Sequence, residues 1–163
     1  RQNMEQETLI KNDGIKPTIF NKNGFDVIND LIPPQTEYGL ALIDPPYDKN
    51  EDFYDSQKTI CEIIQKWPKG IIMLWYPINT NQSQMSDKET MIKQIINEST
   101  IKTLDVQIHI DSYDGAIKNN KKMYGSGVLI INPPDGLEED LRTSLPWIQK
   151  NLSDTCSWTI SSK

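Results

Sequence analysis

Three short apolar runs, each stopped within a few residues by proline, constrain this chain most. Residues 39–43 (Gly-Leu-Ala-Leu-Ile) run into Asp44-Pro45-Pro46, residues 71–75 (Ile-Ile-Met-Leu-Trp) into Tyr76-Pro77, and residues 128–131 (Val-Leu-Ile-Ile) into Asn132-Pro133-Pro134. Runs this short, apolar at consecutive positions, suit strands buried on both faces. Between the first two lie residues 56–67, where Ile60, Ile63, Ile64 and Trp67 recur at spacings of three and four and form one apolar helical stripe. Strand, helix, strand in that order predicts an α/β protein with a parallel sheet.

The same reading extends along the chain. Residues 4–11 have helix-forming composition, and Asp13-Gly14 reads as a turn. Residues 18–20 read as a short strand ended by Asn23-Gly24, and residues 25–31 as a short helix stopped by Pro33-Pro34. A helix is expected over residues 88–97, capped by Ser86 or Asp87. Residues 104–110 alternate apolar with polar side chains and predict a half-exposed strand. Residues 137–152 form the last helix, kinked by Pro146, and residues 157–160 a terminal strand. Strands in succession near the end predict one antiparallel strand at the edge of a mostly parallel sheet.

Composition narrows the classes. The chain has 163 residues, 36% of them hydrophobic, enough for one domain with a sizeable core. No apolar run is long enough to span a bilayer and no charged-then-apolar leader is present, which points to a cytoplasmic protein without a membrane partner. Cys61 and Cys156 lack metal-ligand spacing and read as reduced thiols. His109 has no cysteine or histidine partner and reads as a packed residue, so no metal is expected. The net charge of -6 argues against a broad phosphate-binding face. Lys118, Lys121 and Lys122, interleaved with Asn119 and Asn120, are the local exception: a solvated loop, or a phosphate contact.

Asp44-Pro45-Pro46-Tyr47 carries the chemistry. Ligands of open α/β sheets bind beyond the carboxyl ends of strands, and this motif directly follows an apolar strand. An exocyclic amine on a flat ring is a poor nucleophile because its lone pair is delocalised. Two acceptors, the Asp44 carboxylate and the Pro45 carbonyl, can hold its two hydrogens and free the lone pair. Pro46 stiffens the turn and Tyr47 offers a ring for an extruded base. Positioning would then supply most of the acceleration of a methyl transfer. Asn132-Pro133-Pro134-Asp135 also follows an apolar strand but lacks the aromatic, and reads as a structural turn on the wall of the site. Trp75 reads as core, and Tyr76 as either core or a wall of the base pocket.

These blocks together resemble a known family. Gly39-Leu40-Ala41-Leu42-Ile43 before Asp44-Pro45-Pro46-Tyr47, then Trp75-Tyr76-Pro77-Ile78, then Gly125-Ser126-Gly127 leading into Asn132-Pro133-Pro134, then Leu145-Pro146-Trp147 and Ser157-Trp158, resemble the bacterial methyltransferases that modify N6 of one adenine in 23S ribosomal RNA. The likeness runs from about Asn23 to the C-terminus. It implies a Rossmann-like, S-adenosylmethionine-dependent methyltransferase fold, with residues 1–163 as the C-terminal part of a single class I domain. It implies catalytic roles for Asp44, Pro45, Pro46 and Tyr47. It implies donor contacts from Asn23, Gly24 and Asp44, with Asn23 standing where the family has an aspartate that meets the donor's adenine. Target contacts are expected from Tyr47, Tyr76, Lys121, Lys122, Gly125 and Ser126.

No Gly-x-Gly precedes residue 125 and residue 1 is Arg, so a further N-terminal part is expected. The 163 residues alone are expected to bind the donor poorly and to be inactive, and the full-length protein to be a monomer. Two other functions fit the same residues: a DNA adenine-N6 methyltransferase, and a non-catalytic nucleic-acid-binding protein linked to use of external DNA. Intact Asp44 and Tyr47 favour catalysis, and the Trp-Tyr-Pro and Gly-Ser-Gly blocks favour RNA.

Overall fold

The computed structural model describes residues 18–32 and 39–163. The turn at Asp13-Gly14, the helix expected over residues 4–11 and the stop at Pro33-Pro34 lie outside the described residues. The chain divides into two units, Arg1–Leu31 and Ile32–Lys163.

In the first unit, residues 18–20 form no strand, contrary to expectation. With only three apolar or β-branched residues between Pro17 and Asn21, the segment is too short to define a ladder. Helix α1, Gly24–Leu31, follows, with no fully buried residue. Asn23 starts it: its Oδ1 accepts from the Phe25 N–H at 3.1 Å, an amide that the helix leaves unpaired.

The second unit runs β1 (Leu40–Ile43), α2 (Glu51–Lys66), β2 (Ile71–Asn79), α3 (Gln82–Glu98), β3 (Thr103–His109), α4 (Tyr113–Lys118), β4 (Met123–Ile131), α5 (Leu137–Leu152) and β5 (Ser157–Ser162). The sheet order is β1-β2-β4-β3-β5. Only β1 and β2 pair in parallel; the other three pairings are antiparallel. The mostly parallel sheet with one antiparallel edge strand is therefore corrected to a mixed sheet. β1, β2 and β3 run one way, while β4 runs against them from inside the sheet, between β2 and β3. The chain makes this turn because α4 is a single short helix and β4 folds back antiparallel along β3, with His109 opposite Gly125.

Several elements extend past their sequence limits. β2 continues through Pro77 to Asn79. β1 ends opposite Leu74, so beyond that point β2 pairs only with β4, and the missing proline N–H leaves no partner stranded. β4 starts before the expected Val128 and takes in Gly125-Ser126-Gly127, because its neighbours occupy the space of side chains. A Cβ on Gly125 would stand 2.6 Å from the Ile108 carbonyl oxygen, and one on Gly127 would stand 2.1 Å from the Tyr76 ring. α3 begins at Gln82, with Asn81 as its cap in place of Ser86 or Asp87; the Asn81 side chain accepts from the Ser83 and Gln84 amides. β3 is not half-exposed, since it lies between β4 and β5 and its first four residues are buried. Pro146 sits inside α5, where it removes one backbone donor without ending the helix.

Two apolar layers hold the sheet. Ile72, Leu74, Tyr76 and Ile78 alternate onto one face of β2, and that layer contains Ile60 and Ile63 of α2 and Met91 and Ile95 of α3, all essentially without exposure. Truncating any such aliphatic chain to alanine would cost roughly 2–5 kcal/mol. On the opposite face Leu104, Val106, Ile130 and Leu145 form a second cluster, with α5 over β3 and β4. At β1 that face is open: Leu40 and Leu42 are 60% and 63% exposed, and β1 has a strand partner on one side only among the described residues. No helix among the described residues is long and apolar enough to cross a membrane.

Candidate active site

Because β1, β2 and β3 share a direction, their carboxyl ends meet at one end of the sheet. Asp44 leaves β1 there and is exposed. Pro45 is buried and Pro46 exposed. Tyr47 then turns inward on a left-handed backbone, φ 51°, a conformation that costs a non-glycine residue about 1–2 kcal/mol. Its ring is only 4% exposed. It packs 4.6 Å from the Phe53 ring and 6.1 Å from Trp75, and its Oη donates to the Trp75 carbonyl at 2.8 Å. Burial pushes the Tyr47 phenol far above its ordinary range, with smaller contributions from the Asp44 and Asp52 carboxylates, so the hydroxyl stays a neutral donor. Contrary to the sequence reading, this ring does not offer a stacking face: it anchors the loop from inside.

The loop is also held at its outer side. Gln84 Nε2 donates to the Tyr47 carbonyl at 3.3 Å, and Asn79 Nδ2 donates to Gln84 Oε1 at 2.7 Å. Asn50 Nδ2 donates to Ser83 Oγ at 2.8 Å. Asp52 Oδ2 accepts from the Lys49 N–H at 3.2 Å and fixes the entry to α2. None of Asn50, Asn79, Ser83 and Gln84 stands out in the sequence; their only signal is that they lie at or soon after strand ends.

The lysine loop lies at the same end of the sheet. The Thr80 N–H donates to the Lys122 carbonyl at 2.8 Å, and Thr80 Oγ1 donates to the Lys121 carbonyl at 3.1 Å. Lys118 and Lys122 are exposed. Lys121 Nζ is paired with Asp111 Oδ2 at 2.9 Å, and that bond holds the Asp111 carboxyl below its ordinary range. A phosphate contact from Lys121 would compete with Asp111, so Lys122 is the better placed of the two. His109, half-buried at the end of β3, lies 5.8 Å from the Tyr124 ring; burial, then Lys88, lowers its pKa and favours the neutral ring.

Other expected contacts fall elsewhere. Tyr76 sits in the core: it has no exposure, its ring fills the space over Gly127, and its Oη donates to the Asp105 carboxylate, which also accepts from Gln107 Nε2 at 2.8 Å. Burial and the Asp105 charge drive the Tyr76 phenol well above its ordinary range. Gly125 is buried between β2 and β3, and Ser126 is half-buried beside it. Asn132-Pro133-Pro134-Asp135 is a structural turn as expected, but not on the wall of the site. Asn132 has φ 57°, its N–H donates to the Lys102 carbonyl at 2.9 Å and its Nδ2 to the Gly70 carbonyl at 3.4 Å. Those carbonyls precede β3 and β2, so this turn lies at the opposite end of the sheet from Asp44. Asn23 and Gly24 belong to the first unit and are exposed. Both cysteines are free thiols; burial, followed by Glu98, pushes Cys61 up to about 12. The described residues contain no group of three or more His, Cys, Asp or Glu side chains able to hold a metal ion.

A mixed α/β sheet with an exposed carboxylate and a proline-stiffened loop at its carboxyl end is consistent with the S-adenosylmethionine methyltransferase class. A crystal structure of a Legionella pneumophila protein shares this fold, with a TM-score of 0.78 and 23% identity, over 98% of this chain and 57% of that one. The family described as "Ribosomal RNA large subunit methyltransferase D, RlmJ" matches residues 3–162, and the chain belongs to that family. It is 30% identical over 149 residues to Ribosomal RNA large subunit methyltransferase J of Haemophilus influenzae, covering 88% of this chain and 49% of the relative. It is 29% identical over 144 residues to the protein of the same name from Escherichia coli, covering 85% and 49%. The chain thus spans about half the length of these curated relatives.

Proposed function

We propose that this chain carries the target-amine half of an S-adenosylmethionine-dependent methyltransferase acting on N6 of an adenine in 23S ribosomal RNA. The observation that carries the reading is the exposed Asp44 carboxylate at the end of β1, on a loop whose Tyr47 is fixed from both sides. The residues present suit the donor in part. Asp44 presents an unburied negative charge where a sulfonium would approach. Bound S-adenosylmethionine supplies an electrophilic methyl group. The chain's own contribution is orientation: Asp44 accepts one hydrogen of the target amine and the Pro45 carbonyl the other. Withdrawing both hydrogens from the ring plane localises the nitrogen lone pair.

Tyr47 serves this arrangement as the buried anchor of the loop. A stacking role would require its ring to leave the Phe53–Trp75 niche. Lys122, with Lys118, is assigned to the RNA phosphates at the same end of the sheet. RNA is favoured over DNA by the relatives' names, which specify ribosomal RNA. The test is transfer of labelled methyl from S-adenosylmethionine to purified 23S RNA by the native protein, with digestion to nucleosides. Label in N6-methyladenosine is the expected result; label in any other nucleoside, or none, defeats the reading.

A further inference from the structure

We infer that Gln84, oriented by Asn79, is a positioning residue for the Asp44–Tyr47 loop, an inference that rests on the methyltransferase reading above. The orientation of the amide follows from the partners. A backbone carbonyl can only accept, so the group 3.3 Å from the Tyr47 oxygen must be Gln84 Nε2. That leaves Gln84 Oε1 for Asn79, whose Nδ2 donates to it at 2.7 Å. Asn79 is placed for this by the register shift that ends β2, between Ile78 and Asn79. Asn81 locks the first turn of α3 by accepting from the Ser83 and Gln84 amides. From that turn Ser83 Oγ takes the Asn50 side chain while Gln84 takes the Tyr47 carbonyl. One turn of helix therefore grips the motif loop at two points, three residues apart.

The grip reaches further. Thr80, between Asn79 and Asn81, donates to the carbonyls of Lys121 and Lys122. The loop assigned to the RNA backbone and the loop bearing the target carboxylate are thus joined through residues 79–84. Tyr47 has a left-handed backbone that its own side chain does not prefer, so an external donor on its carbonyl holds the turn that aims Asp44 and Pro45. Gln84 touches neither reactant and acts through that carbonyl.

The test uses Gln84→Ala and Gln84→Glu in the native protein. Glutamate keeps the size and still accepts from Asn79, but as a carboxylate it cannot donate to the Tyr47 carbonyl. Both variants are expected to lose at least tenfold in kcat at pH 8, with KM for donor and RNA changed less than threefold. The activity of Gln84→Glu relative to wild type should rise as pH falls toward about 5, where a glutamate begins to take up a proton and becomes a donor. A structural filler would show no such recovery. A kcat within twofold of wild type in both variants overturns the inference. If the wild type itself transfers no methyl group, the methyltransferase reading fails on its own. Amide exchange over residues 47–49 then decides: faster exchange in Gln84→Ala supports the grip, and unchanged exchange refutes it.

Discussion

Replacing Tyr47 separates the role of its ring from that of its backbone. The ring is almost wholly enclosed, against Phe53 and Trp75, so Tyr47→Ala removes an aromatic from a packed niche and should cost about 3–5 kcal/mol. Tyr47→Phe keeps the packing and loses only the hydrogen bond to the Trp75 carbonyl, about 1 kcal/mol. Tyr47→Gly also empties the niche, yet it adopts φ 51° without the steric penalty that alanine keeps. Glycine loses part of that advantage to its greater freedom when unfolded, so it should be more stable than alanine by up to about 1 kcal/mol. The stability order is therefore wild type, Phe, Gly, Ala, the reverse of the usual glycine–alanine order. Urea unfolding with a common slope would measure it. An alanine variant within about 1 kcal/mol of wild type would mean that the ring lies free in solution and is available to stack on a base. Glycine below alanine would mean that the left-handed turn is not present.

The other substitutions test the remaining assignments. Asp44→Ala should leave unfolding free energy within about 0.5 kcal/mol of wild type, as expected of an exposed side chain. It should raise the methyl-transfer barrier by about 3 kcal/mol or more, and wild-type turnover in single-turnover kinetics would remove it from the site. Gly127→Ala should destabilise by roughly 1–3 kcal/mol or more, because the new methyl meets the Tyr76 ring. Gly125→Ala should be worse, because it meets the Ile108 backbone, which cannot swing aside; thermal melts would check both. His109 has a lowered pKa in the folded protein, so the unfolded chain binds its proton first as pH falls. Its contribution to stability is present above the ordinary histidine range and fades as pH drops through about 6.5 and below. His109→Gln should flatten that part of the stability–pH curve, and an unchanged slope would contradict the assignment.

What the sequence reveals and what it hides follow physical lines. The apolar runs at residues 40–43, 71–75 and 128–131 are strands, visible without context because they are short and uniformly apolar, although one face of β1 is open. The stripe of Ile60, Ile63 and Ile64 likewise exposes its helix. The first turn of α3 is concealed because Gln82, Ser83 and Gln84 carry no apolar period, and only the Asn81 cap marks it. The strand at Gly125 and Gly127 is hidden because the reason for it lies in other chain segments, the Ile108 carbonyl and the Tyr76 ring. Asp44-Pro45-Pro46-Tyr47 is legible as a motif, but the inward turn of Tyr47 depends on Phe53 and Trp75. The two proline pairs look alike in sequence; only strand direction puts one at each end of the sheet.

The place of β4 also governs when the sheet can form. β2 and β3 are both complete before β4 in chain order, yet they do not touch, because β4 lies between them. Leu74 finds Leu129 only across an interval containing α3, β3 and α4. Closing that interval costs loop entropy before the central ladder gives anything back. On the ribosome, the half-finished sheet would therefore be two separate pieces: β1 with β2, and β3 awaiting both its neighbours. Until residue 131 emerges, the edges of β2 and β3 that β4 will join remain unpaired, which marks this interval as the one where the nascent chain is most exposed to misassociation.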